Sequence, residues 1–182
     1  MLKGTTSVPK GYSFPDLPPI MFWDLPGAGD GPENPIASYF EDKALFAFDC
    51  LIVVSSVRFT EADILIAKQA EAFDVPVFFA HSKFDVDLLN TYRKKHRTQY
   101  RGDLVDIDAA SPGLASELIS SIRTDIQKHL EDAGLKGKIY IMSSPAFLAT
   151  HQRDSYVVDE QSFAQDILNT ALQRRTRSAA DQ

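Results

Sequence analysis

The chain has 182 residues, 44% of them apolar with twelve phenylalanines, which suits one domain with a substantial core and excludes a disordered bulk. A formal charge of −6 excludes a surface built to wrap nucleic acid, and a single cysteine, Cys50, excludes an internal disulfide framework and fits a reducing compartment. Met1-Leu2-Lys3-Gly4-Thr5-Thr6 lacks the apolar core of a signal peptide and the second-position glycine of a myristoylation site. No apolar stretch approaches the roughly 20 residues of a membrane span, so a cytoplasmic protein is expected.

Residues 7–19, with Pro9, Pro15, Pro18 and Pro19, read as an extended, irregular approach to a first strand over residues 20–24. Gly27, Gly29 and Gly31 with Pro26, Pro32 and Pro35 then make a mobile loop, followed by a short helix over residues 36–48. Leu51–Ser55 is a continuous apolar, β-branched run, the pattern of a strand covered on both faces in a parallel sheet, and the adjoining Cys50 reads as a small buried apolar residue rather than a nucleophile. Thr60-x-x-Asp63 is a capping-box pattern, and Ala62, Ile66, Ala70 and Phe73 form one stripe of the helix it opens. A strand over residues 75–80 and a strongly basic helix over residues 87–101 come next. Ser111-Pro112 supplies an N-cap and a first-turn proline; Leu118, Ile119, Ile122, Ile126 and Leu130 keep helical spacing up to Gly134, a C-terminal glycine. The last strand is expected over residues 138–143. Phe163, Ile167, Leu168, Ala171 and Leu172 mark a final helix, ended by Arg174, Arg175 and Arg177, with residues 173–182 a frayed polar tail behind a domain of residues 1–172.

Strands alternating with helices predict a three-layer α/β domain with a parallel sheet, in which ligands bind outside the carboxyl ends of the strands. Asp24, Ser82–Asp85 and Ser143-Ser144 all fall just past such ends, so all can face one crevice. Two of these segments carry chemistry. Trp23-Asp24-Leu25-Pro26-Gly27 closes an apolar run with Asp-x-x-Gly, which can put a carboxylate near a phosphate-bound magnesium and a glycine N–H near the terminal phosphate. On its own, the same pattern is also an ordinary turn. Ser82-Lys83-Phe84-Asp85 is more specific: guanine presents an imino and an amino donor side by side, and one carboxylate accepts both, at roughly 1.5–3 kcal/mol per charge-assisted bond. The Lys83 stem would cover the base and Ser82 brace the loop. Ser143-Ser144 can offer a backbone N–H to the guanine oxygen, although serine pairs after strands are common. Arg93, Lys94, Lys95, His96, Arg97 and Arg101 form one basic cluster, better read as a solvated helix face than as an anionic-lipid or partner contact. His81, His129 and His151 show no metal spacing and read as structural or exposed.

Thr5-Thr6, Phe22-Trp23-Asp24-Leu25-Pro26-Gly27-Ala28-Gly29, Tyr39-Phe40, the run from Phe48 to Phe59 and Phe78-Phe79-Ala80-His81-Ser82-Lys83-Phe84-Asp85 together resemble the immunity-related GTPase family, the interferon-inducible-type G domains, over residues 4–145. The resemblance implies a P-loop-NTPase-like, Ras-like G domain with a mostly parallel sheet, here missing its first strand, phosphate loop and first helix. It implies GTP or GDP binding with magnesium, slow GTP hydrolysis to GDP, self-association or association with intact G domains, and peripheral membrane contact. By matching positions, Thr6 is the switch threonine, and Thr6 and Asp24 hold magnesium. Gly27 senses phosphate, Lys83 and Asp85 read the base, and Ser144 makes the last base contact; no residue is assigned a catalytic role.

The departures from that family bear on activity. No Gly-x-x-x-x-Gly-Lys-Ser/Thr occurs in the 182 residues, Gly4 stands where the family has an acidic switch residue, Ala28 cannot orient water, and Ser82 replaces the usual Thr or Asn. The helical domain that flanks such G domains is likewise not in this sequence. About four charge-assisted phosphate contacts at roughly 1.5–3 kcal/mol each would be worth roughly 6–12 kcal/mol, many decades in affinity though not additively. Weak or absent GTP binding is therefore expected, with a catalytically inactive interaction module as the alternative. Without the family's central strand, the strands at 20–24 and 51–55 must pair with each other, stay open or accept another chain.

Overall fold

The computed structural model describes residues 8–14, 17–29, 31–99, 101–102, 107, 110–143 and 157–180. By contact, the chain divides into a unit of Met1–Leu51, Thr60–Pro76 and Thr170–Gln182 and a unit of Ile52–Phe59 and Val77–Asn169.

In the first unit, Lys10–Phe14 (β1) pairs antiparallel with Leu17–Asp24 (β2), with Lys10 opposite Asp24 and Gly11 opposite Trp23. Residues 10–14 are thus a strand rather than the irregular approach expected, and β2 begins at Leu17 rather than at residue 20. Prolines hid it. In a two-stranded sheet both strands are edges, so Pro18 and Pro19, lacking an N–H, disturb no second ladder. Gly11 permits the close approach of its neighbours across the pair: a Cβ there would stand 2.9 Å from Met21 Sδ.

The helix expected over residues 36–48 is broken in two, Tyr39–Asp42 (α1) and a 3-10 turn at Leu45–Ala47, because Ala44 between them is left-handed (φ 50°). Glu61–Ala72 (α2) opens on the capping box that the sequence predicts: Asp63 N–H donates to Thr60 Oγ1 (3.3 Å) and Thr60 N–H donates to Asp63 Oδ2 (2.7 Å). Ala62, Ile66 and Ala70 are buried as the stripe requires. Phe73 is not; it ends the helix, exposed, and meets Phe40 and Phe46 at ring-centroid distances of 5.3 and 5.9 Å.

The three-stranded sheet runs in the order Leu51–Ser55 (β3), Val77–His81 (β4), Lys138–Ile141 (β5). It is parallel: strand starts meet through Leu51 N–H to Pro76 O (2.9 Å), ends meet through Ser82 N–H to Ser55 O (2.7 Å), and β4 and β5 run from Phe78–Lys138 to His81–Ile141 in register. Phe84–His96 (α3) starts three residues before the expected helix, and Leu114–Asp132 (α4) is N-capped by Gly113 (φ 84°) rather than Ser111. At its far end Gly134 (φ 75°) lets Leu135 N–H reach Leu130 O (2.9 Å) and its own N–H reach Glu131 O (2.9 Å), the glycine-terminated cap the sequence announced. Ile141 packs with Phe84 and Leu88 of α3 and Leu114 of α4, while its neighbour Tyr140 meets Phe163 of Glu160–Ala180 (α5) at 5.1 Å. Adjacent strand residues point to opposite faces, so helices cover both sides of β5. α5 continues to Ala180, through the segment expected to fray; Arg175 Nε donates to Asp49 Oδ2 (2.9 Å) within the first unit.

The two edges of this sheet are finished differently. On β5, Arg123 donates to Ile139 O (3.0 Å), Asp159 Oδ2 accepts from Ile141 N–H (2.8 Å), Asp159 N–H donates to Ile141 O (3.2 Å), and Glu160 Oε1 accepts from Ser143 N–H (2.6 Å). Side chains there do the work of a missing strand. Among the described residues β3 is the other edge, its Val54 58% exposed, so the expected cover on both faces is not found there. Among the described residues β2 and β3 belong to different sheets, so their edges are not paired with each other.

Candidate functional site

The turn from β4 into α3 is fixed residue by residue. Ser82 is tied to β3 twice, by its N–H and by its Oγ (3.3 Å), both donating to Ser55 O. Lys83 then takes a left-handed conformation (φ 64°, ψ 32°) at the helix N-cap, which reverses the chain and leaves its side chain exposed. That geometry is unusual for a residue other than glycine, asparagine or aspartate, and the anchoring of the next residue sustains it. Phe84 is fully buried, and its N–H donates to Met142 O (3.1 Å). Asp85 falls in the first turn of α3, where a carboxylate suits the positive end of the helix. Its Oδ1 is buried without a hydrogen-bond partner, an arrangement that costs free energy unless something else occupies it.

Two of the residues here were given no part in the site at the level of sequence, His81 being read only as structural or exposed. His81, buried at the end of β4, is bonded through Nε2 to Asp87 Oδ2 at 2.8 Å. Glu160 is buried too, and it takes up two backbone donors, Ser143 N–H and Val158 N–H, both at 2.6 Å. Ser143 is fully buried with its N–H thus engaged and its Oγ without a hydrogen-bond partner. Of this serine pair, a base-facing N–H would have to come from Ser144, which lies outside the described residues. An acidic Asp159-Glu160 pair before a helical pattern was a legible capping signal; the contact of Arg123 with Asp159 (2.8 Å), thirty-six residues apart, had no local signature.

In the other unit Asp24 ends β2 with an exposed side chain, followed by fully buried Pro26 and exposed Gly27. Tyr39 holds this loop by donating its hydroxyl hydrogen bond to Pro26 O. Burial, with the nearby Asp24 carboxylate second, raises the Tyr39 pKa, so the phenol stays a donor. The loop beyond closes on itself through Gly29 N–H to Asn34 O (2.7 Å), with Gly29 at φ 79°. Thr6 lies outside the described residues. Among those described, no group of three or more His, Cys, Asp or Glu side chains is placed to hold a metal ion. The basic residues Arg93, Lys94, Lys95 and His96 occupy the last turn of α3, where cations complement the helix dipole. No helix among the described residues is long and apolar enough to cross a membrane.

Comparison with known families matches residues 3–149 to interferon-inducible GTPase (IIGP). The chain belongs to this interferon-inducible GTPase family. Similar proteins include Interferon-inducible GTPase 1 of Mus musculus, 34% identical over 87 residues (48% of this chain and 21% of that protein). Interferon-gamma-inducible GTPase 10 of Mus musculus is 26% identical over 141 residues, 77% of this chain and 30% of the relative. T-cell-specific guanine nucleotide triphosphate-binding protein 2 of Mus musculus is 32% identical over 94 residues, 52% of this chain and 22% of the relative. The chain therefore spans less than a third of the length of each of these relatives. Membership of the interferon-inducible GTPases fits the helix-flanked parallel sheet, which is that of a P-loop GTPase-like fold, and makes the chain a member of a family of GTP-binding GTPases.

Proposed function

We propose that this chain is a guanine-nucleotide-binding segment of the immunity-related GTPase type, its family reaction being hydrolysis of GTP to GDP. The observation that carries this reading is the Ser82–Asp85 turn, where a half-buried carboxylate keeps one buried oxygen without a protein partner beside an exposed lysine. Asp85 accepts the imino and amino donors of guanine, the Lys83 stem covers the base, Ser82 braces the turn and Ser144 supplies the last N–H. Asp24 and Gly27 are assigned to the metal and phosphate end. Magnesium takes oxygen ligands and usually one or two carboxylates plus phosphates, a donor set to which the Asp24 carboxylate and the Thr6 hydroxyl belong; the ion would supply charge neutralisation of the phosphates. Self-association and peripheral membrane contact from the cytoplasm belong to the same reading.

These 182 residues contain no phosphate-cradling glycine-lysine loop, so by themselves they bind nucleotide mainly through the base and turn over no GTP. Isothermal titration with magnesium-GTP tests this: binding weaker than micromolar is expected, and micromolar or tighter binding refutes it. Asp85→Asn tests the base assignment, since an amide accepts one hydrogen bond and donates the next; preference should pass from guanine to xanthine nucleotides.

The edge position of β3 among the described residues favours a second reading, an interaction module that docks on intact G domains, because an uncharged edge strand with Val54 58% exposed is a template for pairing. Light scattering with and without nucleotide separates the two: association indifferent to nucleotide supports the module.

A further inference from the structure

We propose that His81 is a positioning residue for Asp85, acting through Asp87; the inference rests on the assignment of Asp85 as the base reader. His81 stands immediately before the Ser82–Asp85 turn, and Asp87 stands just after it. The 2.8 Å bond from Nε2 to Asp87 Oδ2 therefore closes a brace around the whole turn, from the last residue of β4 to the first turn of α3. Other ties on the turn include Ser82 N–H and Oγ to Ser55 O and Phe84 N–H to Met142 O, upstream of Asp85, and the α3 bonds from Val86 N–H (3.0 Å) and Asp87 N–H (3.2 Å) to Lys83 O. None of these reaches a side chain beyond Phe84. The brace does.

Helical spacing gives the brace its direction. Residues two apart lie about 200° apart around a helix axis, so a first turn that holds Asp87 toward the strand turns Asp85 away from it. The two carboxylates end in opposite states: Asp87 is bonded to His81, while Asp85 keeps Oδ1 buried and without a hydrogen-bond partner. The imidazole itself is 4% exposed, and its Nδ1 has no hydrogen-bond partner. A histidine serving only as polar filler would be expected to satisfy both nitrogens; this one directs its single bond to the first turn of α3. Its role is to fix the angle at which the neighbouring carboxylate meets a two-donor base edge, where a small misplacement loses one of two parallel bonds.

The test uses the isotope-labelled full chain, titrated by NMR with GMP and with IMP, which differ only in the 2-amino donor that Asp85 would accept. The parent should prefer GMP by about tenfold, one charge-assisted hydrogen bond's worth. Asp85→Ala should bring the ratio to about one; an unchanged ratio there, or no shifts with GMP at all, sinks the base assignment and this inference with it. With that control in place, His81→Leu should reduce the preference to within about threefold, and His81→Gln, whose amide nitrogen substitutes for Nε2 as donor, should restore it. A folded His81→Leu that keeps the full preference overturns the proposal, as does a His81→Gln that fails to restore it. Should His81→Leu not fold, Asp87→Ala at a side chain 34% exposed decides: reduced preference supports the brace and an unchanged one overturns it.

Discussion

Truncating Glu160 to alanine should be among the most damaging single changes in the second unit. The carboxylate is 5% exposed and accepts hydrogen bonds from Ser143 N–H and Val158 N–H, both at 2.6 Å. Ser143 is fully buried, so its abandoned N–H has no water to turn to, whereas half-exposed Val158 can be hydrated. We therefore count the first bond at the full cost of an unsatisfied buried donor to a charged group, about 2–3 kcal/mol, and the second at about 1 kcal/mol or less. Loss of a carboxylate at the first residue of α5 adds a few tenths, for a total of about 3–4 kcal/mol. For a chain of this size that lowers Tm by about 6–16 °C. Glu160→Gln, which keeps one acceptor oxygen and loses the charge, should fall about midway. Urea titration followed by both far-UV circular dichroism and tryptophan fluorescence measures these values. A Glu160→Ala protein within about 1 kcal/mol of the parent would show that the Ser143 donor finds another partner, and that the closure of the β5 edge by α5 contributes little.

Gly137→Ala should destabilise by about 1–3 kcal/mol, since the new Cβ would meet the ring of Phe79 at 2.6 Å and that ring is itself buried; equilibrium denaturation reads it directly. Thr60→Ala removes the acceptor for Asp63 N–H and should cost about 1 kcal/mol, visible in the same assay. Burial, with the adjacent Asp49 carboxylate second, pushes the Cys50 thiol up to about 11 from 9.0. The unfolded thiol ionises first as pH rises, so its stabilising contribution is complete below pH 9 and is lost between 9 and about 11, by roughly 2–3 kcal/mol at most. Tyr39 and Tyr140, also raised mainly by burial, act in the same direction, so the thiol's share is the part of the alkaline loss that Cys50→Ala removes.

What the sequence settled by itself was whatever depends on neighbours along the chain. The β3 run, the Thr60 capping box and the Gly134 helix end all appear where their local patterns put them, because a cap needs only residues within one turn and a strand only an unbroken apolar, β-branched run. The hydroxyl-Lys-x-Asp and Asp-x-x-Gly boxes were legible for the same reason, being short and written in one stretch. Errors came where a distant partner overrides local preference. Residues 10–14 and 17–24, in a stretch with prolines at 9, 15, 18 and 19, form an antiparallel pair because each strand satisfies the other, and Lys83 tolerates a left-handed backbone because buried Phe84 is bonded to Met142 O. The same holds for the pairs that shape the candidate site. His81 with Asp87 and Glu160 with Ser143 carry no mark in the one-dimensional string. A histidine or glutamate becomes a brace only once folding has taken its side chain out of water and brought its polar partners within reach.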